Sequence, residues 1–523
     1  MRRILSWPLP LSAVWLLAPL FGAVIAASID PIPPHDYWWH LAMGRLIATT
    51  GSIPSTNLFL YTLPPALPFF DQPWLGQLLM WCAYDLFGHA GNFLLRSVLV
   101  FLSFAVVLAA TMRRCEDARV IGGCMFLALM LASPVLMVRT QMFAFLPFVL
   151  VVWSALGVAE GRLGRRWLLL IPAATALWAN LHGSFVMGPA VVGAVAVGLH
   201  GERWLGVMGE GQHGGARGID WAWAGVVVAT ILAPLLSPHG MDVYRYVWGL
   251  TVASSVTTTV TEWLPPRPWK ASGALLLLSL CFSVVILSLR RRAVRLHEAI
   301  LFAGTLYLSV SAMRGLFWWA AVLPVIVAPH AAALLVTRDE EQTTQAAAAL
   351  HAALLGALLA ASLLLQPGVG RGALGGVFDP DSTRMQGEGQ YVLAAENPIE
   401  LARKIGADRR GRVFHDQAVG GLLEVELTSA RRPAQVAFVD QRMEWIPDEV
   451  WERYFAVSEA NDGWAEVLDS FGVDTLLLSP QSQGPLLDAA LANDRWEVVA
   501  KTSAHMLLYR RGSLDRAEDP PEQ

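Results

Sequence analysis

The sequence predicts a mostly α-helical protein that crosses a membrane many times and ends in an α/β domain. Three observations predict it. Of 523 residues, 55% are hydrophobic and only 15% charged, and the mean hydropathy is +0.47, too apolar for a soluble chain of this length. Apolar stretches of near-spanning length recur through the first 366 residues. Beyond about residue 370 the composition turns polar, and short apolar runs of strand length alternate with helical ones.

The formal net charge of −4 splits at the same point, with 22 basic and 16 acidic side chains before residue 370 and 16 and 26 after it. A weakly basic membrane body with an acidic tail offers phosphates no basic face, which excludes a nucleic-acid binder. Cys82, Cys115, Cys124 and Cys281 all lie in the membrane half, none in CxxC spacing. This argues against a thiolate zinc or redox site and leaves the tail without a disulfide.

The first element, the run 9–29 behind Met1-Arg2-Arg3, could pass for a signal peptide, with Ala26-Ala27-Ser28 as a cleavage site. Its uncharged length suffices to cross a bilayer of about 30 Å, so we read it as a retained span. Further spans are expected at about 91–112, 118–136, 142–158, 167–181, 184–200, 221–237, 271–289, 297–313, 316–336 and 346–366, about eleven in all. The segment 74–88 reads as a helix that dips into the outer surface. Arginines cluster in every second connection: Arg2-Arg3, Arg113-Arg114-Arg119, Arg162-Arg165-Arg166, Arg203-Arg217, Arg290-Arg291-Arg292-Arg295 and Arg338. The positive-inside rule then makes the N-terminus cytoplasmic and everything past residue 370 extracytoplasmic. The expected organisation is a transmembrane domain at 1–369, including a first outer loop at 30–90, an extracytoplasmic α/β domain at 370–514 and a disordered tail at 515–523.

With that orientation Asp36, His40, Asp71, Arg139, His182, His239, Glu262 and Arg314 all fall on the outer side. The inner connections hold arginines in no visible pattern and a glycine-rich stretch, Gly209 to Gly218. The first outer loop is far longer than a connection needs, as functional loops are. In it, prolines block helix up to Pro34, then Asp36 can cap a helix of about fourteen residues that stops at Gly51. Trp38, Trp39, Leu41, Met43, Leu46 and Ile47 would give that helix a membrane-interfacial surface, with Asp36 and His40 on one face. A second acid, Asp71, lies beside Phe69, Phe70 and Trp74. Two carboxylates at the bilayer surface are costly unless used.

In the tail, strands are expected at 412–415, 435–439, 475–478, 497–500 and 505–509, and helices at 398–405, 448–457, 465–471 and 485–493. Gly420-Gly421 is a weak signal and nothing resembles a phosphate loop. His415-Asp416 and Asp440-Gln441-Arg442 could line a sugar site, against the competing reading of loop hydrogen bonding.

The run Asp36-Tyr37-Trp38-Trp39-His40, then Gly51-Ser52-Ile53-Pro54-Ser55-Thr56-Asn57, then Asp71-Gln72-Pro73-Trp74, resembles a bacterial family of multi-span proteins similar to the GT-C class of glycosyltransferases, relatives of the protein O-mannosyltransferases and the aminoarabinose transferases. Trp178-Ala179-Asn180-Leu181-His182-Gly183, Ser237-Pro238-His239-Gly240, Glu262-Trp263 and Arg314 are similar to its later signatures, so the resemblance covers nearly the whole chain. It implies an inverting enzyme in the cytoplasmic (inner) membrane that passes a sugar from a polyprenyl-phosphate donor to a glycan, lipid or protein acceptor outside. The position matching the family's first-loop acid is Asp36. Where the family has two acids before the tryptophans this chain has Pro34-His35-Asp36, so Asp71 would have to supply a second. Asn57 stands where relatives often have aspartate and is read as structural.

A carboxylate within reach of an acceptor hydroxyl takes its proton as the bond to the anomeric carbon forms, and a cation stabilises the leaving phosphate. Arg314 and Arg139 are the candidate cations, with a snorkelling interfacial arginine as the competing reading. His182, His40 and Trp39 are candidate substrate-binding residues, and Glu262 is a second active-site acid or an orienting partner for an arginine. His40, His182, Asp36 and Glu262 are of types that suit a divalent metal, but no ligand spacing compels one and no cofactor is expected. The alternative is a non-enzymatic transporter or scaffold for lipid-linked saccharides. A transporter should show broken helices at mid-membrane or a repeat between halves, and neither is visible.

Overall fold

The computed structural model describes residues 8–206, 220–252, 261–335, 343–366, 392–410, 412–429 and 434–512. Arg2, Arg3, Arg217, Arg338, the stretch 209–218 and the tail 515–523 lie outside them. By contacts the chain divides into two compact units, residues 1–30 with 93–374 and residues 31–92 with 375–523. The first loop is thus gathered with the C-terminal region.

Among the described residues eight helices are long and apolar enough to cross a membrane: Leu11–Ile29, Trp74–Met112, Ala118–Val135, Met142–Ala159, Gly183–Leu205, Ala271–Leu289, Met313–Ala332 and Gln345–Leu364. Two shorter apolar helices, Trp221–Leu236 and Leu296–Ser311, stand where further spans were expected. The run 167–181 is broken into a 3-10 turn, Arg165–Leu169, and a nine-residue helix, Leu170–Trp178. Trp74–Met112 is two segments joined at Phe87 and Gly88; Gly88 has φ +60° and ψ −156°, a conformation essentially reserved for glycine. The surface helix expected at 74–88 therefore ends where a Cβ could not follow, and the span resumes behind it.

In the first unit small residues let helices approach. A Cβ on Gly198 would lie 2.3 Å from the Cα of His297, and one on Gly122 would lie 2.5 Å from the carbonyl oxygen of Trp15. Gln366 Nε2 donates to Ser28 Oγ (2.6 Å) and Ser97 Oγ (3.0 Å), a buried polar tie between separate helices. Arg114, placed by the sequence among the patternless inner arginines, is buried against Glu160 and Glu298. His297 joins them, 2.9 Å from Glu202 and 3.9 Å from Glu160, and His330 lies 3.4 Å from Glu298.

In the second unit the helix Tyr37–Thr50 has the expected length and stops at Gly51, whose φ is +67°. A four-stranded sheet of order β1-β2-β4-β3 is built from β1 (Val413–His415), β2 (Thr475–Leu478), β3 (Trp496–Lys501) and β4 (Met506–Arg510), with β1 and β2 parallel and the rest antiparallel. Helices Ile399–Ala407, Asp448–Ser458, Trp464–Ser470 and Gly484–Leu491 match the expected ones within two residues. The expected strand 435–439 instead bridges: Ala437 pairs with both Val413 and Leu60, Val436 N donates to Phe59 O, and Tyr61 N donates to Ala437 O. First-loop residues Leu60, Tyr61 and Leu63 accordingly share one core with Phe414, Phe438, Trp451 and Leu476.

Trp38, Trp39, Leu41, Met43, Leu46 and Ile47 are buried, which corrects the expectation of an interfacial surface. The reason lies in Gly420-Gly421, which opens a short helix, Gly420–Glu426. A Cβ on Gly421 would meet Trp39 N at 2.6 Å, so only glycine lets this helix close on Trp38 and Trp39. Arg45 fastens the pair, donating to the carbonyls of Val425 (3.0 Å) and Glu424 (3.2 Å) and to Thr428 Oγ1 (3.0 Å).

Candidate functional site

Each unit collects one group of the residues singled out by the sequence. In the first, Arg139, which precedes the Met142–Ala159 helix, reaches Glu262 Oε2 at 2.5 Å, and Arg314 reaches the same oxygen at 3.5 Å. Arg314 is placed by the 3-10 turn Met313–Gly315, and its guanidinium stacks 4.0 Å from the centre of the Trp263 ring. His182 lies within the field of both arginines. Burial and then those two charges push its imidazole down to about 3, so it is neutral at physiological pH. Its Nδ1 accepts from Ser184 N (3.1 Å), which caps the 3-10 turn Gly183–Val186 and puts the ring proton on Nε2. The competing reading of His182 as a turn residue is therefore realised through Nδ1, and the Nε2 hydrogen remains a donor.

In the second unit Asp36 precedes the Tyr37–Thr50 helix, but its own backbone is helical (φ −46°, ψ −26°) and its side chain makes no capping hydrogen bond. That removes the N-cap explanation for this aspartate. The residues around it are fixed: Gln441 Nε2 lies 3.0 Å from His35 Nδ1, and Trp38 Nε1 donates to Asn397 Oδ1 (2.6 Å).

Asp71, His40 and Trp39 meet through a residue the sequence reading passed over. Gln77 Nε2 donates to Asp71 Oδ1 (2.8 Å) and lies 3.3 Å from His40 Nδ1, while the Trp39 and His40 rings lie with centres 3.8 Å apart, tilted by 39°. Burial pushes the Asp71 carboxyl up to about 7, against the opposing pull of the Gln77 hydrogen bond and the Arg442 charge.

Arg442 is buried with Asp440 (Nε to Oδ2, 2.6 Å) and Glu424 (Nη2 to Oε1, 3.0 Å). Burial pushes Glu424 up; Asp440 is also buried, but the adjacent guanidinium holds its carboxyl below the usual range. His415, the other tail candidate, is a structural ring: its Nε2 accepts from Phe438 N (3.0 Å), its Nδ1 lies 2.8 Å from Asp416 O, and burial lowers it to about 4. Asn57 is structural as expected, donating to Leu60 O and Leu63 O at 2.8 Å each. Among the described residues no group of three or more His, Cys, Asp or Glu side chains is placed to hold a metal ion.

No protein-family model matches the chain, and no curated protein sequence does. Solved structures do match. One is the oligosaccharyltransferase AglB from Archaeoglobus fulgidus in complex with an inhibitory peptide and a dolichol-phosphate, with a TM-score of 0.51 and 12% identity over 97% of this chain and 75% of that one. Another is ArnT from Cupriavidus metallidurans bound to undecaprenyl phosphate, with a TM-score of 0.51 and 16% identity over 96% of this chain and 98% of that one. The apo state of ArnT gives 0.50 and 17% over 95% and 98%. The fold is that of the GT-C membrane glycosyltransferases. At these identities the likeness speaks for fold, and function has to be argued from the residues.

Proposed function

We propose that this protein is an integral-membrane glycosyltransferase that moves a sugar from a polyprenyl-phosphate donor to an acceptor on the outer face of the cytoplasmic membrane, with inversion. The observation that carries the reading is the pairing of Arg139 and Arg314 on one oxygen of Glu262, beside a neutral His182. Two guanidiniums at the ends of membrane helices suit the phosphate of a lipid donor, whose tail stays in the bilayer. The structural neighbours in complex with dolichol-phosphate or undecaprenyl phosphate support the same donor class.

In this reading Asp36 is the base. Its carboxylate takes the acceptor hydroxyl proton as the oxygen attacks the anomeric carbon and the bond from that carbon to the phosphate oxygen breaks, releasing the polyprenyl phosphate as an anion. The anion leaves already stable, so no strong general acid is needed on that side. Glu262 orients the two arginines, and Asp71 with His40 and Trp39 lines the acceptor side.

The test is binding of undecaprenyl phosphate to the purified full-length protein in nanodiscs, alongside Arg139→Ala and Arg314→Ala. Saturable binding that either variant weakens at least tenfold supports the reading. Equal binding by all three proteins would remove the cation pair from the donor site.

A further inference from the structure

We propose that Arg442, in the C-terminal region, is a positioning residue for the first loop, holding the Asp71 carboxylate and the Trp39 ring in the arrangement the transfer chemistry uses. This rests on the reading of Asp71 and Trp39 given above. Arg442 is only 4% exposed, and a guanidinium so deep is costly unless its donors are engaged. Asp440 and Glu424 engage them and so fix the plane of the fork.

The guanidinium itself lies against three rings, with centres at 5.0 Å for Phe69, 5.3 Å for Trp445 and 5.4 Å for Trp39. Two of these rings come from the first loop, Trp39 three residues after Asp36 and Phe69 two before Asp71. The Arg442 charge also acts on the Asp71 carboxyl, whose Oδ1 accepts a hydrogen bond from Gln77 Nε2 (2.8 Å). Among the described residues, the charged and titratable groups linked to Asp71 include Arg442, paired in turn with Asp440 and Glu424, and His40, reached through Gln77.

Packing alone would be served by an apolar side chain of similar volume, and burial of an ion pair is weak evidence of a stabilising role. What the cation adds is a field on Asp71 and a flat donor surface for the Trp39 face. A positioning role therefore predicts that charge, more than shape, is what the first loop needs from residue 442.

The experiment is an infrared pH titration of the protonated carboxyl band in the full-length protein in nanodiscs, with Asp71→Asn to assign the band and Arg442→Gln and Arg442→Lys as the variants. The expected result is an Asp71 midpoint near 7 in the native protein, moved up by about one pH unit or more in Arg442→Gln and little moved in Arg442→Lys. The acid limb of the transfer rate should move with it, whereas a purely structural residue would lower the rate at every pH without moving the limb.

An Asp71 midpoint unchanged in Arg442→Gln overturns the proposal. If Arg442→Gln does not fold, the double variant with Asp71→Asn decides: restored folding supports the coupling and continued failure overturns it. Absence of sugar transfer by the native protein at any pH would sink the transferase reading, while the infrared titration would still decide between Arg442 and Asp71.

Discussion

The two ends of the membrane helices carry ionic clusters made of the same residue types in different settings. At one end Arg114, Glu160, Glu298 and His297 have side chains no more than 7% exposed, and three glutamates with two histidines surround one buried arginine. At the other, beyond the opposite end of an 18-residue helix of roughly 27 Å, Arg139, Glu262 and Arg314 are 12%, 25% and 29% exposed, and two guanidiniums share a single carboxylate oxygen. The first arrangement draws on five helices or their ends and compensates its charges inside the protein, which is what a fastening does. The second leaves cations within reach of the surroundings, which is what an anion site does.

Breaking the fastening should have the largest effect. Arg114→Ala leaves buried carboxylates without their cation and should cost about 3–5 kcal/mol, read as loss of the monodisperse full-length protein or a collapse of its thermal midpoint. An Arg114→Ala protein as stable as the native one would mean the buried cluster fastens nothing. Arg314→Ala should do the reverse: its thermal midpoint should stay near the native one while transfer falls by about 10²–10³-fold, the usual cost of losing one preorganised donor to a developing anion. A variant that unfolds instead would put both ends in the same class.

Smaller effects sharpen the contrast inside the second unit. Gly421→Ala forces a Cβ against Trp39 N and should cost about 1–3 kcal/mol, measured as a lower denaturant midpoint; a neutral outcome would mean the two helices can separate without loss. The last effect in the second unit is a pH slope from Asp71. Its carboxyl is raised from 3.8 to about 7 on folding, so the folded state holds the proton more tightly. That contribution is fully present below about 4 and is lost as pH rises toward 7, so Asp71→Asn should flatten the fall in thermal midpoint over this window. An unchanged slope would assign the titration elsewhere.

The elements written in local chemistry were legible in the sequence. Gly51 announced the end of the Tyr37–Thr50 helix, and the apolar runs at 475–478 and 505–509 became paired strands. Arginine alternation put Arg139, His182, Glu262 and Arg314 on one side, and the fold brings all four to one cluster. What stayed illegible depends on contacts between distant residues. Arg442 meets Trp39 and Phe69 across about 370 to 400 positions of chain, and nothing in the run from Asp440 to Arg442 signals it. Gly420-Gly421 reads locally as a weak signal, and its use as a close-packing surface for Trp39 exists only in three dimensions. The buried partners of Arg114 were hidden for the same reason, since Glu160 follows the Met142–Ala159 helix and Glu298 lies in the Leu296–Ser311 helix.

The central claim is that Asp36 performs chemistry, and Asp36→Asn tests it by removing the carboxylate's charge and basicity at nearly constant size. The measurement is the level of polyprenyl-phosphate sugars and of surface glycans in cells carrying the native protein, lacking it, or carrying Asp36→Asn at matched expression. The account predicts that one lipid-linked sugar accumulates, and one glycan loses that sugar, in both the deletion and the variant. Full restoration of the glycan by Asp36→Asn would contradict it and turn the protein into a carrier or scaffold for lipid-linked saccharides.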